Sequence, residues 1–504
     1  MRALFVTAEA HPLAKSGGLA DVSSGLPAAL RRAGVDARIV LPGYPDALTR
    51  LKQPRSVTTL KPALGVADAS LIAGELPHSG VPVWLINAPS LYARSGGLYQ
   101  DKDGHDWQDN GLRFAFLAHV AKEIALDGTD GWTPDVVHAN DWHAGLLPLL
   151  LAMQSGPRPA SVFTIHNLAF QGNFPCHLMP SLGIPERFVC ATGIEFYGRA
   201  SFLKAAILYS DRITTVSPSY AQEALTSEYG CGLDGVLRSR SEVFSGILNG
   251  IDTELWDPSY DPHLPQPYRA HDVAGKRVCK AALQHEFGLA PDLDRPLIGH
   301  VSRLAHQKMT DIVIEALPLI AELGAQLVLL GQGDPQFEAA LEDVAARYRG
   351  AIAVRIGYDE PLAHLLQAGS DMLLAPARYE PCGLTQLYAM RYGTVPLVRR
   401  TGGLADTVID ATAANLSART ATGFVFDEIA RGGLLSAVKR ALALREEPLA
   451  WRRLQLQGMS QDFSWDPKAA KYNELYREVT GLSDFRSEYL PIRTNETEVI
   501  AAES

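Results

Sequence analysis

The sequence predicts an α/β protein of two doubly wound domains that face a shared cleft. Three observations lead there. The chain has 504 residues, too many for one hydrophobic core and enough for two large domains. Short apolar runs alternate with segments of helical spacing in both halves, the pattern of parallel strands covered on both faces. A Gly-Gly-Leu-Ala-Asp stretch follows an apolar run once in each half, in Lys15-Ser16-Gly17-Gly18-Leu19-Ala20-Asp21-Val22 and in Thr401-Gly402-Gly403-Leu404-Ala405-Asp406-Thr407-Val408.

Composition narrows the function. Lys and Arg total 46 against 56 Asp and Glu, a formal charge of −10, which argues against bulk binding of nucleic acid or an anionic membrane. Any phosphate site must therefore gather its cations locally. The cysteines, Cys176, Cys190, Cys231, Cys279 and Cys382, are scattered, odd in number and form no CxxC. That suits a reducing cytosol and argues against a disulfide framework or a zinc knuckle. The run 146–153 contains Pro148 and is too short to span a bilayer, and Leu4-Phe5-Val6 is too short for a signal-peptide core. The expectation is a cytoplasmic protein with neither a membrane nor a nucleic-acid partner; the oligomeric state is not legible.

The first domain is expected over 1–245, with strands at 3–8, 37–41, 81–87, 136–139, 161–165 and 212–216. Helical spacing runs through 26–30 up to Gly34, then 112–125, 145–154 and 202–210. Residues 244–252 read as the crossing between domains and 256–274 as irregular linker. The second domain is expected over 246–460, with strands at 297–301, 326–330, 351–356, 372–375, 395–398 and 424–426 and helices at 434–444 and 451–459. A helix at 467–479, within a segment 461–482, is expected to pack back on the first domain, and 483–504 to be a loose tail.

The candidate chemistry lies beyond the strands' carboxyl ends, where doubly wound sheets bind ligands. Gly17 and Gly18 let a ligand approach backbone N–H groups, and Lys15 and a helix N-terminus add positive charge, so a phosphate or diphosphate suits that loop. An ordinary strand-to-helix turn is the plainer alternative; the loop is not the GxGxxG fingerprint of NAD. Arg303 and Lys308, in Val301-Ser302-Arg303-Leu304-Ala305-His306-Gln307-Lys308, offer a diphosphate clamp or else a solvated pair at a sheet edge. In Glu380-Pro381-Cys382-Gly383-Leu384-Thr385, Pro381 is expected to start a helix, freeing the N–H groups of residues 383–385 for an anion or sugar hydroxyl. Glu380 is a nucleophile, an acceptor of sugar hydroxyls, or a helix-dipole acid. His138, Asp141, His143 and His166 contain no tight ligand pair such as HExxH, so hydrogen bonding is favoured over a metal. Tyr358 offers a face to a base or fills a gap in a loop.

Taken in order, these motifs resemble those of bacterial glycogen synthases and, more broadly, starch synthases. The match covers residues 1–479 and adds His138-Ala139-Asn140-Asp141-Trp142-His143, His166-Asn167-Leu168-Ala169-Phe170-Gln171-Gly172 and Asn249-Gly250-Ile251-Asp252. The resemblance implies the GT-B arrangement, two Rossmann-like domains with the active site between them. It implies transfer of glucose from ADP-glucose to the non-reducing end of an α-1,4-glucan such as glycogen, with retention and without metal or organic cofactor. It assigns the acceptor side to the first domain and the donor side to the second.

By motif position, Lys15, Asp21 and the Gly18 backbone would face the donor, and Arg303 and Lys308 would neutralise the leaving diphosphate. Tyr358 would lie against adenine, and Asp141, His166, Asn249 and Glu380 would hold the glucose. Cys382, Gly383, Leu384 and Thr385 would line the sugar and phosphate. The His166 main-chain oxygen would steady charge at the anomeric carbon, and the leaving phosphate would help deprotonate the acceptor. The family's glycine after the lysine is Met309 here, expected to reshape the turn and lower donor affinity. Cations from both domains around one diphosphate imply closure about hinges near 246–249 and 461. The alternatives are a retaining transferase using UDP-glucose with another acceptor, as in sucrose synthases, and a non-catalytic glucan binder. The diphosphate clamp argues against the latter.

Overall fold

The apolar run at the N-terminus forms the strand Arg2–Val6, buried except at Arg2. Its lack of polar alternation follows from its place mid-sheet, covered on both faces. A computed structural model describes residues 1–481. Among these, the first sheet has nine strands in the order Phe244–Gly246, Arg212–Thr215, Ala160–Ile165, Val136–Asn140, Arg2–Val6, Asp36–Pro42, Pro82–Asn87, Ser70–Glu75 and Lys52–Thr59. All pairings are parallel except at the Ser70–Glu75 and Lys52–Thr59 edge, which is antiparallel.

The second sheet is wholly parallel, in the order Ile352–Ile356, Gln326–Gly331, Leu297–Val301, Met372–Ala375, Val395–Arg399 and Phe424–Phe426. Each sheet reverses its winding beside its first strand, Arg2–Val6 in one and Leu297–Val301 in the other. Crevices open at such reversals, beyond the carboxyl ends of the strands. The loops so placed carry Lys15 and Asp141 in one domain, Arg303 and Glu380 in the other.

The helix Gly18–Arg32 starts at the glycine pair itself, well before its apolar spacing becomes regular, and ends before Gly34, which adopts φ +84°. The strand Phe244–Gly246 carries the first sheet one residue past the expected break at 245. Residues 247–273 carry no helix or strand beyond an isolated bridge. The chain crosses back at 461–465, where Ile251 N–H donates to Phe463 O at 2.8 Å. A Cβ on Gly250 would lie 2.8 Å from Ser464 O, so the two crossings pack backbone to backbone.

Beyond the crossing, Trp465 lies over Gly25, where a Cβ would come within 2.1 Å of its indole nitrogen. The helix Asp466–Gly481 follows, and its Ala469, Tyr472, Tyr476 and Val479 join the core of the first domain. The Tyr476 hydroxyl and His138 Nδ1 share a hydrogen bond of 2.6 Å. Burial of side chains this size contributes about 1.5–3 kcal/mol each. No helix among the described residues is long and apolar enough to cross a membrane. The tail expected at 483–504 lies outside the described residues.

Candidate active site

Across the cleft the domains touch at its mouth. Lys15 Nζ pairs with Asp21 at 3.0 Å and sits 5.9 Å from the centroid of Tyr358, a residue of the second domain. A Cβ on Gly18 would lie 3.6 Å from Leu384 Cδ1, also of the second domain. Burial alone would lower the Lys15 ammonium's pKa, but Asp21, Tyr358 and Glu360 outweigh it and raise the value.

The amides of this first glycine loop differ from expectation. Ser16 and Gly17 N–H already donate to the Glu9 carboxylate, at 2.7 and 3.0 Å, and the Tyr99 hydroxyl donates to its other oxygen at 2.5 Å. Glu9 follows the first strand into the interior, where a carboxylate must find donors. The amides of residues 16 and 17 are therefore committed to Glu9 rather than open to an anion. Glu9 and Tyr99 escaped the sequence reading. Glu9's place just past a parallel strand was a usable signal, whereas Tyr99 gave none.

The loops after Val136–Asn140 and Ala160–Ile165 carry the next group. Asp141 has φ +53° and ψ 179°, a conformation that strains any side chain and persists where the surroundings enforce it. Its Oδ1 accepts His166 N–H at 2.8 Å, and Asn167 N–H donates to the same carboxylate. Burial pushes the Asp141 carboxyl up to about 7, against those two amide hydrogen bonds. His166 Nε2 is 3.0 Å from Asn140 Oδ1, and burial pushes its pKa down to about 3, so the ring is neutral. His138 is engaged by Tyr476 and Thr164, and His143 stacks on Tyr99 with Trp142 tilted against it. Among the described residues, no three His, Cys, Asp or Glu side chains are grouped so as to hold a metal ion.

In the second domain the strand Leu297–Val301 leads to Arg303, whose guanidinium stands 5.8 Å from the ring centroid of Phe170 in the first domain. Phe170 belongs to the motif of residues 166–172, and nothing in that motif marks this contact. Lys308 forms an ion pair with Glu380. Met309 adopts φ +53° and its side chain is fully buried in the second core beside Ile312 and Val313. Methionine here takes the left-handed backbone that glycine adopts without strain, and its packing offsets the cost.

The Glu380 loop corrects another expectation. Pro381 does not start a helix; Gly383 at φ +70° interrupts the chain, and the helix is Thr385–Arg391 with Leu384 at its cap. Gln386 Nε2 donates to Cys382 O and Gly383 O at 3.1 and 2.9 Å and holds the loop's shape. Thr385, first in the helix, has an amide without an intrahelical acceptor. Cys382 is buried and its thiol is pushed up to about 12 by that burial, with the Asn249 backbone N–H opposing. It packs rather than reacts. Asn249 Oδ1 is buried without a protein partner among the described residues.

Two doubly wound sheets meeting at their reversal points, with cations and carboxylates from both lining the cleft, define a GT-B glycosyltransferase. The starch synthase catalytic domain matches residues 2–239, and the glycosyl transferases group 1 domain matches 284–453. The chain is 51% identical over 483 residues to the glycogen synthase of Thioalkalivibrio sulfidiphilus, covering 95% of this chain and 100% of that one. It is 51% identical to that of Burkholderia thailandensis, covering 95% and 90%. The catalytic domain of starch synthase IV from Arabidopsis thaliana, bound to ADP and acarbose, superposes with TM-score 0.87 at 34% identity, covering 95% and 99%. A sucrose-phosphate synthase from Thermosynechococcus elongatus, 17% identical with TM-score 0.58, shares the fold. The chain belongs to the glycogen and starch synthase family of retaining glycosyltransferases.

Proposed function

We propose that this protein is a cytoplasmic glycogen synthase that moves glucose from ADP-glucose to the non-reducing end of an α-1,4-glucan with retention. The second domain takes the donor and the first takes the acceptor. The observation that carries this reading is the Lys308–Glu380 pair beside Arg303, at the reversal point of the second sheet. A glucan binder has no use for such a pair, whereas glucosyl transfer needs cations where negative charge develops.

In the mechanism so proposed, Lys308 exchanges Glu380 for the donor diphosphate, Arg303 joins it, and Lys15 approaches from the first domain. Glu380, released, accepts hydroxyls of the transferred glucose together with Asn249, whose unpaired amide oxygen favours a ligand donor. Asp141 holds the amides of residues 166 and 167, which fixes the His166 carbonyl where positive charge grows at the anomeric carbon. Asp21 keeps Lys15 aimed, Tyr358 offers its exposed ring to adenine, and residues 382–385 line the sugar and phosphate. The departing phosphate takes the acceptor's proton on the same face. No step requires a metal or organic cofactor.

The test is incubation with glycogen and either ADP-glucose or UDP-glucose, reading nucleotide release and chain extension. Higher kcat/KM with ADP-glucose is expected. Equal or better use of UDP-glucose overturns the donor assignment, and no transfer from either overturns the reading.

A further inference from the structure

The second glycine loop, Thr401-Gly402-Gly403, has no part in the mechanism above, yet it is hydrogen-bonded across the domain boundary. Glu223, the last residue of the helix Pro218–Glu223 in the first domain, reaches into it. Glu223 Oε1 accepts from Gly402 N–H at 2.8 Å and from the Thr401 hydroxyl at 3.1 Å. The same helix offers Ser219, whose N–H and hydroxyl donate to Asp406 at 2.9 and 2.6 Å. Each domain thus presents one carboxylate to a donor pair on the other.

The far side of the loop bears on the reacting groups. Gly403 N–H donates to the Glu380 carbonyl at 3.0 Å. Gly402 has φ +41°, and a Cβ there would lie 2.0 Å from Glu380 O; one on Gly403 would lie 2.2 Å from Cys382 O. The loop is wedged backbone to backbone under residues 380–382, so a shift of one moves the other.

We propose that Glu223 is a positioning residue. Seated on Thr401 and Gly402, it couples the approach of the first domain to the placement of Glu380, and through Glu380 to that of Lys308. The catalytic half of this proposal rests on the role given to Glu380 above; the mechanical half does not. Glu223 acts here through the loop rather than on the substrate, and its carboxylate stands in the loop where the first glycine loop holds Glu9.

The experiment compares the full chain with Glu223→Ala, Glu223→Gln and Ser219→Ala, reading amide hydrogen exchange over residues 377–384, Tm, ADP affinity and transfer kinetics. In Glu223→Ala, exchange over 377–384 should quicken and kcat should fall about tenfold or more, with ADP affinity within about twofold. Glu223→Gln keeps an acceptor for Gly402 and should restore most of both. Ser219→Ala removes the hydroxyl bond to Asp406, leaving the N–H one, without touching residues 401–402, and should change kcat far less. Unchanged exchange over 377–384 in Glu223→Ala overturns the proposal even if the enzyme transfers glucose normally. Equal losses in Glu223→Ala and Ser219→Ala, or a kcat loss that merely tracks a lowered Tm, overturn it too. A wild-type chain inactive with every donor counts against the proposed function alone, because exchange still reads the coupling.

Discussion

Lys308 and Glu380 face each other from loops that follow adjacent strands of the second sheet, Leu297–Val301 and Met372–Ala375, and form an ion pair there. The pair keeps a cation and a carboxylate ready at one point of the cleft while no diphosphate is present. Removing the lysine strands the carboxylate in a partly buried place, where an unpaired charge is costly.

Negative charge grows on the leaving diphosphate as the glycosidic bond breaks, so losing a cation should fall mainly on kcat. Lys308→Ala and Arg303→Ala should each lower kcat about a hundredfold or more, the loss typical of removing one group that stabilises developing charge in the transition state. Added Mg²⁺ should not restore them. Steady-state kinetics on variants verified as folded by circular dichroism checks this; near-normal kcat in either returns that residue to a solvated surface role.

Asp141 should set the acid side of the pH profile. With its carboxyl pushed up to about 7 and His166 held near 3, Asp141 is the group that titrates near neutrality in this pair. In the mechanism proposed it works as a carboxylate, so kcat/KM should rise with pH through about 7, and Asp141→Asn should abolish that limb. The sign for stability is opposite. The folded value lies above the unfolded one of about 4, so the folded state binds more protons between them, and stability falls as pH rises from about 4 through 7. Thermal melts across that window should show a shallower decline in Asp141→Asn.

Met309→Gly tests the turn after Lys308. Glycine would relieve a left-handed residue, worth about 1–2 kcal/mol, but would empty a fully buried methionine site, which costs about 2–5 kcal/mol. The variant should be less stable in urea, with ADP affinity changed little because the backbone already has glycine's conformation. A more stable variant would mean the side chain is poorly packed.

Closure should be visible in solution. Gly18 against Leu384, and Lys15 near Tyr358, are contacts of a shut cleft. Small-angle scattering should give a smaller radius of gyration with ADP than without, the bend falling near 246–249 and 461. An identical radius in both would argue that the cleft is shut throughout.

The parallel strands were legible because burial on both faces leaves unbroken apolar runs, as in Val136–Asn140 and Ala160–Ile165. The edge strand Lys52–Thr59 was not, since nearly every side chain on it is exposed and no periodicity marks it. The loops that gather Lys15, Asp141, Arg303 and Glu380 followed from the rule for doubly wound sheets. Pro381 misled because the decisive fact, a left-handed Gly383 two residues on, is a backbone angle rather than a composition. Tyr99 reaches Glu9 across 90 residues and Glu223 reaches Thr401 across 178, so the first pair forms only when its domain folds and the second only when the domains meet.

The helix Asp466–Gly481 belongs to the core of the first domain, yet it is synthesised after the whole of the second. Until it emerges, the surface around Gly25 lacks Trp465 and His138 lacks the Tyr476 hydroxyl. The core of the second domain lies within residues 251–459, whereas that of the first is completed only by this helix, so the second can finish its core earlier. The nascent first domain waits with an apolar face uncovered, and a chain stopped before Trp465 would carry that face permanently, as a target for chaperones and proteases.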